Sequence, residues 1–122
     1  MEKNKKNIYK VRLASKKVIE VVWDRHEIRL MRHQPGGNVE AGIMEQREAL
    51  SLLLPLWEKA EDEAKKAHID AYETLSKMNL DEVSARTYLK ASEDEDVAQD
   101  NYEWIMGIHY KLEREARKLG VL

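Results

Sequence analysis

Apolar and polar residues alternate one by one near the start of the chain and recur every three or four positions later, so the pattern predicts strands followed by helices. Over Ile8–Leu13, Tyr9, Val11 and Leu13 fall on one face and Ile8, Lys10 and Arg12 on the other. Over Val18–Trp23, Ile19, Val21 and Trp23 share a face, and Val18 and Val22 opposite them suggest a strand covered on both sides. Ile28–His33 alternates again, with Ile28 and Leu30 against Arg29, Met31 and His33. Short polar links, Ala14-Ser15-Lys16 and Asp24-Arg25-His26-Glu27, favour a meander. Met1–Lys6 reads as a frayed basic arm.

Gln34-Pro35-Gly36-Gly37-Asn38 is the strongest turn signal in the chain. Beyond it, Val39, Ala41 and Ile43 predict a short fourth strand, while Asn38 as the cap of an immediate helix is the competing reading. From about Glu45 the period becomes helical. Leu50, Leu53 or Leu54, Trp57, Ala60, Ala64, Ala67, Ala71, Leu75 and Met78 form a heptad-like seam, with a kink expected at Ser51–Leu54 because Pro55 removes a backbone donor. Two capping boxes follow. Asn79-Leu80-Asp81-Glu82 predicts a short helix to about Ser92, and Ser92-Glu93-Asp94-Glu95 a last helix to about Leu119, closed by Gly120. Its buried stripe is expected to run through Val97, Asn101, Trp104 or Ile105, Ile108, Leu112, Ala116 and Leu119. The expected fold is α+β in one domain over residues 1–122: an N-terminal antiparallel β-meander of three or four strands (1–44), then a kinked long helix, a short helix and a second long helix (45–122).

Charge divides the chain at the same place. Residues 1–33 hold ten Lys and Arg against four Asp and Glu, a net of +6, and residues 34–122 hold eleven against nineteen, a net of −8. Charged residues make up 36% of the chain, which fits long helices with solvated faces. Without cysteine there is no disulfide, thiolate nucleophile or Cys-ligated metal. The charged N-terminus lacks an apolar signal-peptide core, and the longest apolar run, Leu52–Trp57, is far too short to span a bilayer. The expectation is a cytoplasmic protein with no membrane association.

Lys10, Arg12, Lys16, Lys17, Arg25 and Arg29 form the candidate nucleic-acid-binding set, because cations on a twisted sheet can follow a phosphate backbone, with Trp23 or Tyr9 as base-stacking candidates. Strands leading through Gly42-Ile43 into a long helix resemble the single-stranded-DNA-binding transcriptional coactivators and Whirly-type domains, over roughly residues 8–66. That resemblance implies a sheet that binds single strands. Trp57, Ala60, Ala64, Ala67, Ala71, Trp104, Ile108 and Leu112 form the candidate interaction seam, read as an intramolecular hairpin or as a surface for a second copy or another protein. Glu93–Asp96 with Asp100 and Glu103 reads as a solvated helix start, or as a docking face for a basic partner.

Glu58-x-x-Glu61 and Glu93-x-x-Asp96 resemble the carboxylate pairs of the all-α nucleoside triphosphate pyrophosphohydrolases, a resemblance that implies Mg²⁺-dependent hydrolysis. The four histidines show no ligand spacing, and no nucleophile elbow or phosphate loop is present. The leading expectation is therefore a non-catalytic, dimeric regulatory protein without cofactor or metal, with nucleic acid, preferably single-stranded, as its partner. A protein-binding inhibitor or adaptor acting through the helices is the alternative, and the pyrophosphohydrolase a remote one.

Overall fold

A computed structural model describes residues 8–23 and 27–122, so Arg25, His26 and the basic arm Met1–Lys6 lie outside the described residues. The order is β1 (Ile8–Arg12), β2 (Val18–Trp23), β3 (Ile28–Arg32), β4 (Val39–Glu40), α1 (Ile43–Ser76) and α2 (Ala85–Lys118). The strands form an antiparallel meander in the order β1-β2-β3-β4. The chain is thus α+β, a sheet followed by two long helices.

The chain divides into two compact units: residues 1–56 with 108–122, and residues 57–107. The first holds the sheet, the start of α1 and the end of α2. Val11, Leu13, Ile19, Val21, Trp23, Ile28 and Leu30 are buried on one sheet face, as the period of two requires. Ala49, Leu50 and Leu53 of α1, and Ile108, Leu112 and Ala116 of α2, complete that core. Polar contacts tie the sheet side to α1: Ala14 N–H donates to Glu48 Oε2 (2.7 Å), and Gln46 Nε2 donates to the carbonyl of Ala41 (2.7 Å).

The turns follow their residue chemistry. Gly37 N–H donates to the carbonyl of Gln34 (3.1 Å), with Pro35 and then Gly36 (φ 90°) between them, the arrangement of a type II turn. The β1–β2 hairpin closes through Leu13 and Lys17, with Lys16 in the left-handed region (φ 73°) where glycine is the usual occupant. Gly120 (φ 76°) ends α2: Val121 N–H reaches the carbonyl of Ala116, and Gly120 N–H that of Arg117.

Three expectations about element boundaries are corrected. The fourth strand forms but is only Val39–Glu40, and α1 already starts at Ile43. Glu45 accepts the N–H of Gly42, so the Gly42-x-x-Glu45 spacing caps the helix two residues before Glu45. Next, α1 continues as one helix through Pro55. Proline forfeits one bond, and the fully buried Leu50 and Leu53 just before it hold that turn in place. Finally, the short helix and the last helix are one, α2. Its cap is Ser84, whose Oγ accepts the N–H of Thr87 (3.1 Å). Asn79 instead closes a single turn, accepting the N–H of Asp81 on its side chain (2.9 Å). Ser92 and Glu95 lie three apart inside α2, where both are half-buried neighbours on one helix face, a spacing that also satisfies the capping-box pattern.

Candidate functional site

The sheet face opposite the core carries the candidate cations. Cross-strand register aligns Lys10, Glu20, Met31 and Glu40 in one row, and places Arg12 beside Val18 and Val22 beside Arg29. Lys10, Arg12 and Arg29 are exposed, and Val18, Val22 and Met31 half-buried. Glu20, at the centre, is only 6% exposed. Its Oε1 accepts Asn38 Nδ2 (3.1 Å) and its Oε2 lies 3.3 Å from Nδ1 of His33, which is itself 3.0 Å from Asn38 Oδ1. The buried anion is thereby turned toward the β3–β4 side. Arg29 pairs with Glu27 at the rim (3.1 Å). Lys10 and Arg12, on the edge strand β1, have no ion pair among the described residues.

The other candidates divide. Lys16 is exposed at the tip of the β1–β2 hairpin. Lys17 pairs with Glu45 Oε2 (3.4 Å), and Arg32, on the buried-face side of β3, with Glu45 Oε1 (3.5 Å). The Gly42 N–H holds the Glu45 carboxyl below its ordinary value; burial opposes this, and Arg32 and Lys17 add to the lowering. Lys17 is thus committed to the helix start. Trp23, a stacking candidate, is buried with the core, and Tyr9 shares the parity of Val11 and Leu13, so neither stands on the open face.

In residues 57–107, Trp57, Ala60 and Ala71 are half-buried, Ala64 is buried and Ala67 exposed. Trp104 is 47% exposed and packs edge-on against Trp57, their ring centroids 6.0 Å apart. Ile108 and Leu112 belong to the sheet unit, where both are buried. His68 Nε2 lies 2.9 Å from Glu95 Oε2, and its ring stacks on Tyr102, with centroids 6.1 Å apart. His109 pairs with Glu113 (3.6 Å). No group of three or more His, Asp or Glu positioned to hold a metal occurs among the described residues, the two carboxylate pairs included. No helix is long and apolar enough to cross a membrane among them.

Comparison with protein-family models, with curated proteins and with solved structures returned no match. Two features of the site escaped the sequence reading. The Glu20–Asn38–His33 network has no local signature, because it joins residues 18 and 5 positions apart through β-pairing. The role of Glu45 did have one, the spacing to Gly42.

Proposed function

We propose that this is a non-catalytic binding protein whose open sheet face contacts nucleic-acid phosphates. One observation carries the reading. The unit made of residues 1–56 and 108–122 holds fifteen Lys and Arg against nine Asp and Glu, a net of +6, and Lys10, Arg12, Lys16 and Arg29 stand exposed on or beside the sheet face that the core leaves open. The central carboxylate that would repel phosphate is buried and hydrogen-bonded. With Trp23 in the core, backbone charge rather than base stacking supplies the affinity, and binding is electrostatic and sequence-tolerant.

Fluorescence anisotropy with labelled single- and double-stranded oligonucleotides at about 50 mM salt tests this, since counterion release is strongest there. Binding is expected to weaken steeply with salt, and each of Lys10→Gln and Arg12→Gln to lower the slope of log K against log salt by about one. Absence of binding to either oligonucleotide at low salt overturns the reading.

A second reading, docking of a protein on the helical unit, is favoured by a separate observation. Of its 51 residues only Ala64 and Ala91 are buried, while Ile69, Tyr72, Leu80, Leu89, Val97, Trp104 and Met106 are exposed. A two-helix unit with so little core leaves apolar surface for another molecule to cover.

A further inference from the structure

The helical unit is acidic where the sheet unit is basic. Residues 57–107 hold six Lys and Arg against fourteen Asp and Glu, a net of −8, beside the +6 of the sheet unit. The acidity concentrates on α2, where Ala91–Tyr110 contains six acids and no Lys or Arg. Leu89, Glu93, Val97, Asp100 and Trp104 recur at intervals of four, four, three and four, which places them along one face of the helix. All five are exposed, Val97 most among the apolar ones at 68%. This stripe alternates apolar and negative side chains.

The open sheet face has the complementary make-up. Its half-buried Val18, Val22 and Met31 lie among the exposed cations Lys10, Arg12 and Arg29. The dimensions agree as well. From Leu89 to Trp104 a helix rises about 22 Å. The three longer strands, β1, β2 and β3, spaced about 4.8 Å apart and each about 17–20 Å long, give a face that such a helix crosses on the diagonal.

We infer that a second copy of this chain occupies the open sheet face, laying the Leu89–Trp104 stripe of its α2 across β1, β2 and β3. Glu93 and Asp100 of one copy face Lys10, Arg12 and Arg29 of the other, and Leu89, Val97 and Trp104 cover Val18, Val22 and Met31. The alternative of two stripes packing on each other sets like charges together and is disfavoured. The contact is heterologous, acid stripe on basic sheet, so each copy offers both halves of it. It does not require the sheet to bind nucleic acid. Where both occur they compete for the same cations.

Sedimentation velocity of the full chain, from about 1 to 100 µM and with salt at about 50 mM and about 500 mM, reads the contact directly. Association is expected at low salt and a monomer at high salt. Charge reversal supplies the decisive arm. The double variant Lys10→Glu with Arg12→Glu makes the sheet match the stripe in sign, and Glu93→Lys with Asp100→Lys does the same from the other side. Each variant alone is expected to be monomeric at low salt, and an equal mixture of the two to associate again, because an acidic sheet then meets a basic stripe. All four positions are exposed, and circular dichroism confirms folding; if either reversal variant unfolds, Lys10→Gln with Arg12→Gln and Glu93→Gln with Asp100→Gln take their place, each expected to weaken association at least tenfold. A wild-type monomer at low salt overturns the inference, as does association that survives either reversal or that mixing fails to restore. Oligonucleotide binding by Glu93→Lys with Asp100→Lys is expected to be retained, so failure of self-association and failure of phosphate binding read out separately.

Discussion

The carboxylate of Glu45 accepts the backbone N–H of Gly42 at 3.1 Å, and the same carboxylate reaches Lys17 on the sheet side of the hairpin turn and Arg32 at the end of β3. One side chain thus caps α1 and fastens two strands to it. Glu45→Ala is expected to cost about 1–2 kcal/mol in urea unfolding, and Glu45→Gln less, because the amide oxygen can still accept the Gly42 N–H.

The same group sets an acid limb of stability. Its folded pKa lies below the ordinary 4.5, first because of the Gly42 N–H and then, against burial, because of Arg32 and Lys17. The contribution is therefore fully present above the unfolded value and is lost as pH falls through the lower folded value. Denaturant titrations between about pH 3 and 7 should show wild-type stability falling more steeply in the acid range than that of Glu45→Gln. Equal pH profiles for the two proteins would rule out this role.

Lys16 stands in a left-handed conformation (φ 73°) with its side chain exposed at the hairpin tip. Glycine adopts that backbone without the Cβ clash, so Lys16→Gly is expected to stabilise by about 0.5–1 kcal/mol while weakening oligonucleotide binding. Stability and binding should move in opposite directions, which thermal unfolding and anisotropy on one variant would reveal. A variant that binds as tightly as wild type removes Lys16 from the phosphate-contacting set.

Gly107 is the last residue of the helical unit, inside α2, and a Cβ built on it meets no atom within 4 Å. Gly107→Ala should raise stability by about 0.5–1 kcal/mol by restricting the unfolded chain and favouring helix. A loss of stability would mean that this position needs glycine for a reason other than packing space.

The two units should differ in local stability. Leu50, Leu53 and Leu112 are fully buried in the sheet unit, whereas the helical unit buries only Ala64 and Ala91, neither of them completely, and relies on contacts such as His68 with Glu95. Hydrogen exchange at low protein concentration is expected to be faster for amides in 60–75 and 88–104 than for those in 19–23 and 49–54. His68→Ala, which strands the half-buried Glu95 carboxylate, should accelerate the first group and leave the second unchanged. Uniform protection across both would contradict the division.

Much of the architecture was legible in the residues because it depends on local rules. The period of two in Val11–Leu13, Ile19–Trp23 and Ile28–Leu30 fixes which side chains share the buried face whatever lies beyond them. Pro35-Gly36 and Gly120 announce their turns because few other residues take those backbone angles cheaply. The apolar recurrence from Leu50 and the run to Leu119 announce helices for the same kind of reason.

What the residues alone left open is what depends on distant partners. The capping spacings at Asn79 and Ser92 suggested helix starts, but a local motif cannot reveal that the chain around Ser92 continues as helix on both sides. Nor does a strand pattern tell which outward cation stays free: Lys10 and Lys17 look alike in sequence, and only the packing of α1 brings Glu45 to Lys17. The charge split shows the difference best. Its sign change after residue 33 is written in the composition, but the return of 108–122 to the sheet is not, and that return separates a basic sheet unit from an acidic helical unit. Hydrophobic periodicity acts over a few residues; the choice of which helix ends bury the sheet is made by side chains more than fifty positions apart, once the chain has folded back on itself.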